Sequence, residues 1–166
     1  MIAVSYIDNT LKELDKLYNT SSSQKKAIYF SKLALIELCG WIEETVDDII
    51  LRHSKRHLKE PNNKKYYESQ IVKRNYGFQY EDNIRQMLIR LIGLIEVEKL
   101  EKELEKTQQI TALKGYLSNI KGSRNQAAHT YLKGVTRTFN APSRTIGDFN
   151  NIKPILEKID QELRKK

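Results

Sequence analysis

A single cysteine, Cys39, is present in 166 residues. No internal disulfide can form, and a thiolate metal site lacks its other ligands. A lone thiol in an apolar run suits a reducing compartment, so the expected location is the cytoplasm. Seven glycines and three prolines are too few to punctuate a fold built from many short strands. No run of about 18 apolar residues occurs, so no membrane-spanning helix is expected. Asp8, Lys12, Glu13 and Asp15 interrupt the start of the chain and exclude an apolar signal-peptide core there. A glycine-rich phosphate loop, paired cysteine ligands and a Gly-x-Ser-x-Gly elbow are all missing. No cofactor is therefore expected. No internal repeat is visible, which argues against a solenoid.

What is present is a helical pattern. Hydrophobic residues make up 39% of the chain and charged residues 30%, the balance of a folded chain able to bury a core. The length suits one domain, taken here as 1–166. Ile7, Leu11, Leu14 and Tyr18 recur at helical spacing and predict a helix over 4–19. Leu35, Leu38, Ile42, Val46 and Ile49 form the stripe of a long helix over 24–58, widened by Leu33, Ile36, Trp41 and Ile50. Pro61 should end it. Ile84, Leu88, Leu91, Ile92 and Ile95 predict a helix over about 81–105. Ile110, Leu113, Leu117 and Ile120 predict one over about 107–121. Gly122-Ser123 reads as an interruption, with Ser123 capping a further helical run to Leu132. The stretch 133–147 reads as a loop. Ile152, Ile155, Leu156, Ile159 and Leu163 predict a last helix with Pro154 in its first turn. The expectation is an all-α, up-and-down bundle of about five main helices.

Net charge is +8, and its distribution is uneven. Between Arg52 and Tyr80 there are eight Lys/Arg and two acids. Five aromatics, Tyr66, Tyr67, Tyr76, Phe78 and Tyr80, are interleaved with them. Cations attract phosphates and exposed aromatics stack on unpaired bases, which makes Lys64, Lys65, Lys73 and Arg74 candidate RNA contacts. The competing reading is a solvated segment whose aromatics anchor it to the core. His53 and His57 share a helical face, but no nearby acid or cysteine completes a metal set.

The chemistry-bearing segment is Arg124-Asn125-Gln126-Ala127-Ala128-His129. RNA can be cleaved by attack of its own 2′-hydroxyl, which needs a proton acceptor, while the leaving oxygen needs a donor. Imidazole serves either role near neutral pH, and a guanidinium can hold the phosphorane oxygens bidentately. Spacing alone does not single out this run, because Arg52 and His57 repeat the interval within the basic segment. Asn125 and His129 share a helical face, and Ala127 and Ala128 are small enough for another helix to approach. Arg124 and His129 lie about 140° apart around an ideal helix. A two-fold pair of such helices would bring Arg and His to one phosphate. The alternative is a capped, solvated helix with His129 hydrogen-bonded in the core.

Residues Arg124 to Tyr131 resemble the motif of the HEPN superfamily of small helical domains. Arg124, Asn125 and His129 match its pattern, and Ala128 fits the frequent Ala-His pair. Tyr131 matches the Arg-x4-His-x-Tyr variant of HEPN toxins paired with nucleotidyltransferase antitoxins, in which the tyrosine is modified with AMP. The run Leu33 to Glu43 is similar to the long early helix of several HEPN groups and singles out Glu43 as an acid near the site. The likeness is nearest to the RiboL-PSP-like and stand-alone defence groups, and the 52–80 segment reads as an insertion relative to the compact toxins. The resemblance implies an endoribonuclease acting as a toxin or antiphage effector. It further implies a homodimer with a composite active site, RNA as substrate and an antitoxin protein as a partner. A non-catalytic RNA-binding or adaptor domain acting through the 52–80 patch is the alternative. A structural bundle that binds protein is a third reading.

Overall fold

The computed structural model describes residues 2–128 and 138–165. Among them all regular structure is helical, and the architecture is an all-α bundle. Helix α1 (Ser5–Thr20) buries Ile7, Leu11 and Leu14. Helix α2 (Gln24–His57) follows after a three-serine turn. Its first turn is capped by Ser23, whose hydroxyl accepts from the Lys26 amide, and its last turn carries Lys55, Arg56 and His57. Those cations face the negative end of the helix dipole. Pro61 then opens the short α3 (Pro61–Tyr66) at a position where its missing N–H is not needed.

The next stretch is wound more loosely. Residues Tyr67–Val72 continue α3 as a π-helical turn, and Tyr80–Ile84 lead into α4 (Arg85–Ile92) in the same way. Between them the chain reverses at Gly77, whose φ of +118° is the left-handed region that glycine tolerates. Asn83 locks that reversal. Its amide nitrogen donates to Asn75 Oδ1 at 2.9 Å and to the Tyr76 carbonyl at 3.2 Å. Its amide oxygen accepts from the Gln79 N–H at 2.9 Å.

Three sequence expectations are corrected. The single helix read over 81–105 is two, α4 and α5 (Leu94–Glu105), because Gly93 adopts φ +80° between them. Ile95, assigned to the apolar face, consequently lies 72% exposed. The expected break at Gly122-Ser123 is absent: α6 runs unbroken over Gln109–Ala128. Ser123 is no cap; its hydroxyl donates back to the Asn119 carbonyl, which satisfies it inside a continuing helix. Helix α7 (Pro142–Arg164) starts well before the expected position and carries Pro154 in its interior. Pro142 is preorganised for a first turn. The lost hydrogen bond at Pro154, about 3 kcal/mol in an isolated helix, is offset by burial of Ile152, Ile155, Leu156 and Ile159.

The long α2 packs on α1, α6 and α7, and touches α4 and the π-helical turn of 67–72. Leu38, Ile42 and Ile50 are sealed in a core shared with Leu88, Leu113, Leu117 and Ile152. Trp41 ties three elements together. Its indole N–H donates to the Ala3 carbonyl at 2.8 Å, and its ring meets Phe149 edge-on at 4.9 Å. Leu33 and Ile36, read as widening the core stripe, are 45% and 36% exposed instead. No helix of the described residues is long and apolar enough to cross a membrane.

These positions separate in a denaturation experiment. Leu38→Ala, which empties a sealed site, should cost about 2–5 kcal/mol. Leu33→Ala, on the same helix, should stay within about 0.5 kcal/mol. Urea unfolding of both variants checks the assignment, and equal losses would contradict it.

Candidate functional site

The site is built where the last turns of α6 cross the middle of α2. Arg124 is half-buried on α6 and reaches Glu43 of α2, with Nη2 3.8 Å from Oε1. That separation is too long for a hydrogen bond, and Glu43 Oε1 has no hydrogen-bond partner among the described residues in its buried position. An ion pair so loose and so near solvent is worth little to stability. It aims the guanidinium without consuming its donors. Asn125 lies beside Arg124 on the exposed side of α6. Lys121, one turn earlier, is 4.0 Å from Asp82.

These groups line a recess of about 210 Å³ whose opposite wall is the Gly77 reversal, with Tyr76, Phe78 and Asn83 among its residues. Glu43 and Arg124, 81 positions apart in sequence, are thus neighbours. Lys121 and the reversal are additions that spacing alone did not reveal. Ala127 is fully buried in the chain's own core, leaving only the exposed Ala128 for approach by a second molecule. His129 and Tyr131, the other two residues singled out, lie outside the described residues.

The environment under Arg124 is unusual for its density of ionisable groups. Cys39 is buried one turn before Glu43. Burial pushes its thiol up to about 12, with Arg124 opposing and Glu43 reinforcing the rise. At neutral pH it is a neutral thiol and not a nucleophile. Asp47, one turn after Glu43, is raised to about 6 by burial and then by the charges of Glu44 and Glu43. Of these α2 groups only Glu43 is paired with a cation of α6 among the described residues.

The basic segment resolves into different parts. Arg52, read with His57 as part of the phosphate-binding patch, is turned into the protein instead. Its Nε pairs with Asp48 at 2.8 Å and its Nη1 with the buried Asp160 of α7 at 3.2 Å. Asp160 also holds Arg164. His53 and His57 stack at 4.3 Å, and burial, together with the His57 charge, lowers the His53 pKa. Among the described residues no group of three or more His, Cys, Asp or Glu is placed to hold a metal ion. Of the five aromatics, Tyr67, Phe78 and Tyr80 are buried anchors. Tyr67 donates to the Met87 carbonyl at 2.7 Å, and Tyr80 to Glu101 at 3.0 Å. Tyr66 and Tyr76 are exposed. Lys73 is paired with Glu68 at 2.9 Å. Lys64 and Lys65 sit on α3 and line none of the recesses described here. Arg74 does line one, together with Arg90 of α4.

The chain matches no protein-family model, no curated protein and no solved structure.

Asp47 gives this arrangement a pH signature. Its folded-state pKa lies above the unfolded value, so the protonated form is favoured by folding. That contribution is complete below about pH 4 and is lost as pH rises through about 6. Asp47→Asn should therefore stabilise the protein at pH 7.5, by roughly 1–2 kcal/mol once solvent screening is allowed for. At pH 4 it should change little. Thermal melts of both proteins at the two pH values measure the difference, and an identical gain at both would refute the assignment.

Proposed function

We propose that the protein is a metal-independent endoribonuclease of the HEPN type, cleaving RNA by attack of the substrate's own 2′-hydroxyl. The observation that carries this reading is the loosely held Arg124, aimed by Glu43 into a recess beside Asn125 and Lys121. A guanidinium that keeps free donors at an open recess is suited to a phosphorane, which bears more negative charge than the ground-state phosphodiester. In this reading Arg124 holds the phosphorane oxygens and Asn125 hydrogen-bonds a neighbouring phosphate. His129 moves the proton of the 2′-hydroxyl or of the leaving 5′-oxygen. Glu43 positions Arg124, and Tyr131 supports the site. The separation of Arg124 and a residue five positions on around a helix, about 140°, favours a site completed by a second copy of the chain. A toxin or antiphage role with a restraining antitoxin follows from the motif's resemblance.

A rival reading keeps RNA and drops catalysis. It is favoured by the Arg74–Arg90 recess, which adjoins the Arg124 recess but does not include Arg124 itself. It predicts RNA binding without cleavage.

The discriminating experiment incubates single-stranded RNA with the protein in excess EDTA. Wild type should generate products ending in 2′,3′-cyclic phosphate. His129→Ala and Arg124→Ala should each lower the rate by about a hundredfold or more. Cleavage that persists in His129→Ala, or none in wild type, would sink the ribonuclease.

A further inference from the structure

Three recesses on this face of the molecule run into one another. The Arg124 recess shares Tyr76, Asp82 and Asn83 with a second, of about 380 Å³, that contains Arg74 and Arg90. That second recess shares Ile71, Arg74 and Arg90 with a third, of about 510 Å³, which ends at Tyr66. Surface depressions linked by common walls make a path, and its lining has a definite chemistry. Its cations are Lys121, Arg124, Arg74 and Arg90. Its carboxylates are Glu43, opposite Arg124, and Asp82, opposite Lys121. Arg74 and Arg90 have no ion-pair partner among the described residues, so both forks are open to an anion. Tyr76 stands 86% exposed between the first two recesses, and Tyr66 is 60% exposed at the far end. Rings so exposed add nothing to the core, but each has a face for a base. The Asn83 hydrogen bonds fix the Tyr76 backbone, so that ring stands on a rigid base.

We propose that Tyr76, Arg74, Arg90 and Tyr66 form a track for single-stranded RNA leading away from the Arg124 recess, the arginines gripping phosphates and the tyrosines stacking on bases. This deepens the ribonuclease reading and rests on it for RNA as the substrate. Unpaired strands fit better than duplex, because bases must be splayed to reach the tyrosines. The track also reassigns the basic segment: of Lys64, Lys65, Lys73 and Arg74 only the last lies on it, and Arg90, outside that segment, is its partner.

The test measures fluorescence anisotropy of a labelled oligouridylate of roughly ten nucleotides, using the full-length His129→Ala chain so that cleavage plays no part. Arg74→Ala with Arg90→Ala should weaken binding at least about tenfold and reduce the log–log salt slope by about 1.4, the loss of two single-strand phosphate contacts. Tyr66→Ala with Tyr76→Ala should weaken binding about thirtyfold, the loss of two stacked bases, with the salt slope unchanged. Lys102→Ala with Lys106→Ala, on α5, removes the same charge away from the track and should leave affinity within about twofold. The track falls if the arginine pair binds as tightly as its parent, if the α5 pair loses as much, or if a duplex of equal length binds better than the single strand. A protein that cleaves nothing yet loses affinity in these variants keeps the track and loses the ribonuclease. One that cleaves RNA while these variants bind normally loses only the track.

Discussion

The 34 residues of α2 must bury apolar side chains on more than one side, and the rest of the bundle is arranged by that requirement. Its Leu38, Ile42 and Ile50 are sealed from solvent, which takes α1, α6 and α7 packed around one axis. Hydrophobic burial of this kind is strong but unspecific in direction. Polar contacts then fix how the partners sit. Trp41 ties the start of the chain and α7 to the middle of α2. Arg52 fastens its later turns to Asp160 of α7. Glu43 meets Arg124 of α6 between these two fastenings.

The consequence for function is that the described part of the candidate site is carried on helices and a hydrogen-bonded reversal. Arg124 and Asn125 are carried by a continuous helix whose preceding turns are anchored through Leu113, Leu117 and Ile120. The facing wall, the Gly77 reversal, is stitched by three hydrogen bonds from Asn83. Asn83 would crowd a side chain at residue 77, whose added Cβ would lie 3.1 Å from its Oδ1. Preorganisation of this kind is what electrostatic catalysis requires, since a group that must move to meet charge loses part of its effect.

Much of the fold was legible in the sequence. The periodicity of Ile7, Leu11 and Leu14 and of Leu35, Leu38 and Ile42 identifies α1 and α2, since sealed positions at helical spacing leave no other regular structure. Periodicity failed where one residue acts against its neighbours. Gly93 splits a helix because its backbone takes a positive φ, and Gly122 does not because it stays helical; the same residue type gives opposite outcomes. Pro154 reads as a helix start but is carried in an interior by burial around it. Leu33 and Ile36 satisfy the apolar pattern of α2 and still face outward, because a stripe says which faces are apolar but not how many are covered. At the site, Arg124 and Asn125 were legible as a motif and Glu43 as a neighbour only by resemblance. Lys121, Arg90 and the place of the Gly77 reversal beside Arg124 were not legible because three-dimensional adjacency, not spacing, brings them to the same surface. Arg52 carries the same interval to His57 that Arg124 carries to His129, and only the fold separates a partly buried cation held by two carboxylates from one at an open recess.

The proposed ribonuclease would pair Arg124 and His129 in one RNA-cleaving site completed by two copies of the chain. Mixing subunits tests it most directly. Arg124→Ala and His129→Ala chains, each inactive alone, are unfolded together, refolded and assayed on RNA. If each site takes its arginine from one chain and its histidine from the other, mixed dimers retain one intact site, and roughly a quarter of wild-type activity should return. A mixture as inactive as either variant alone would contradict the account.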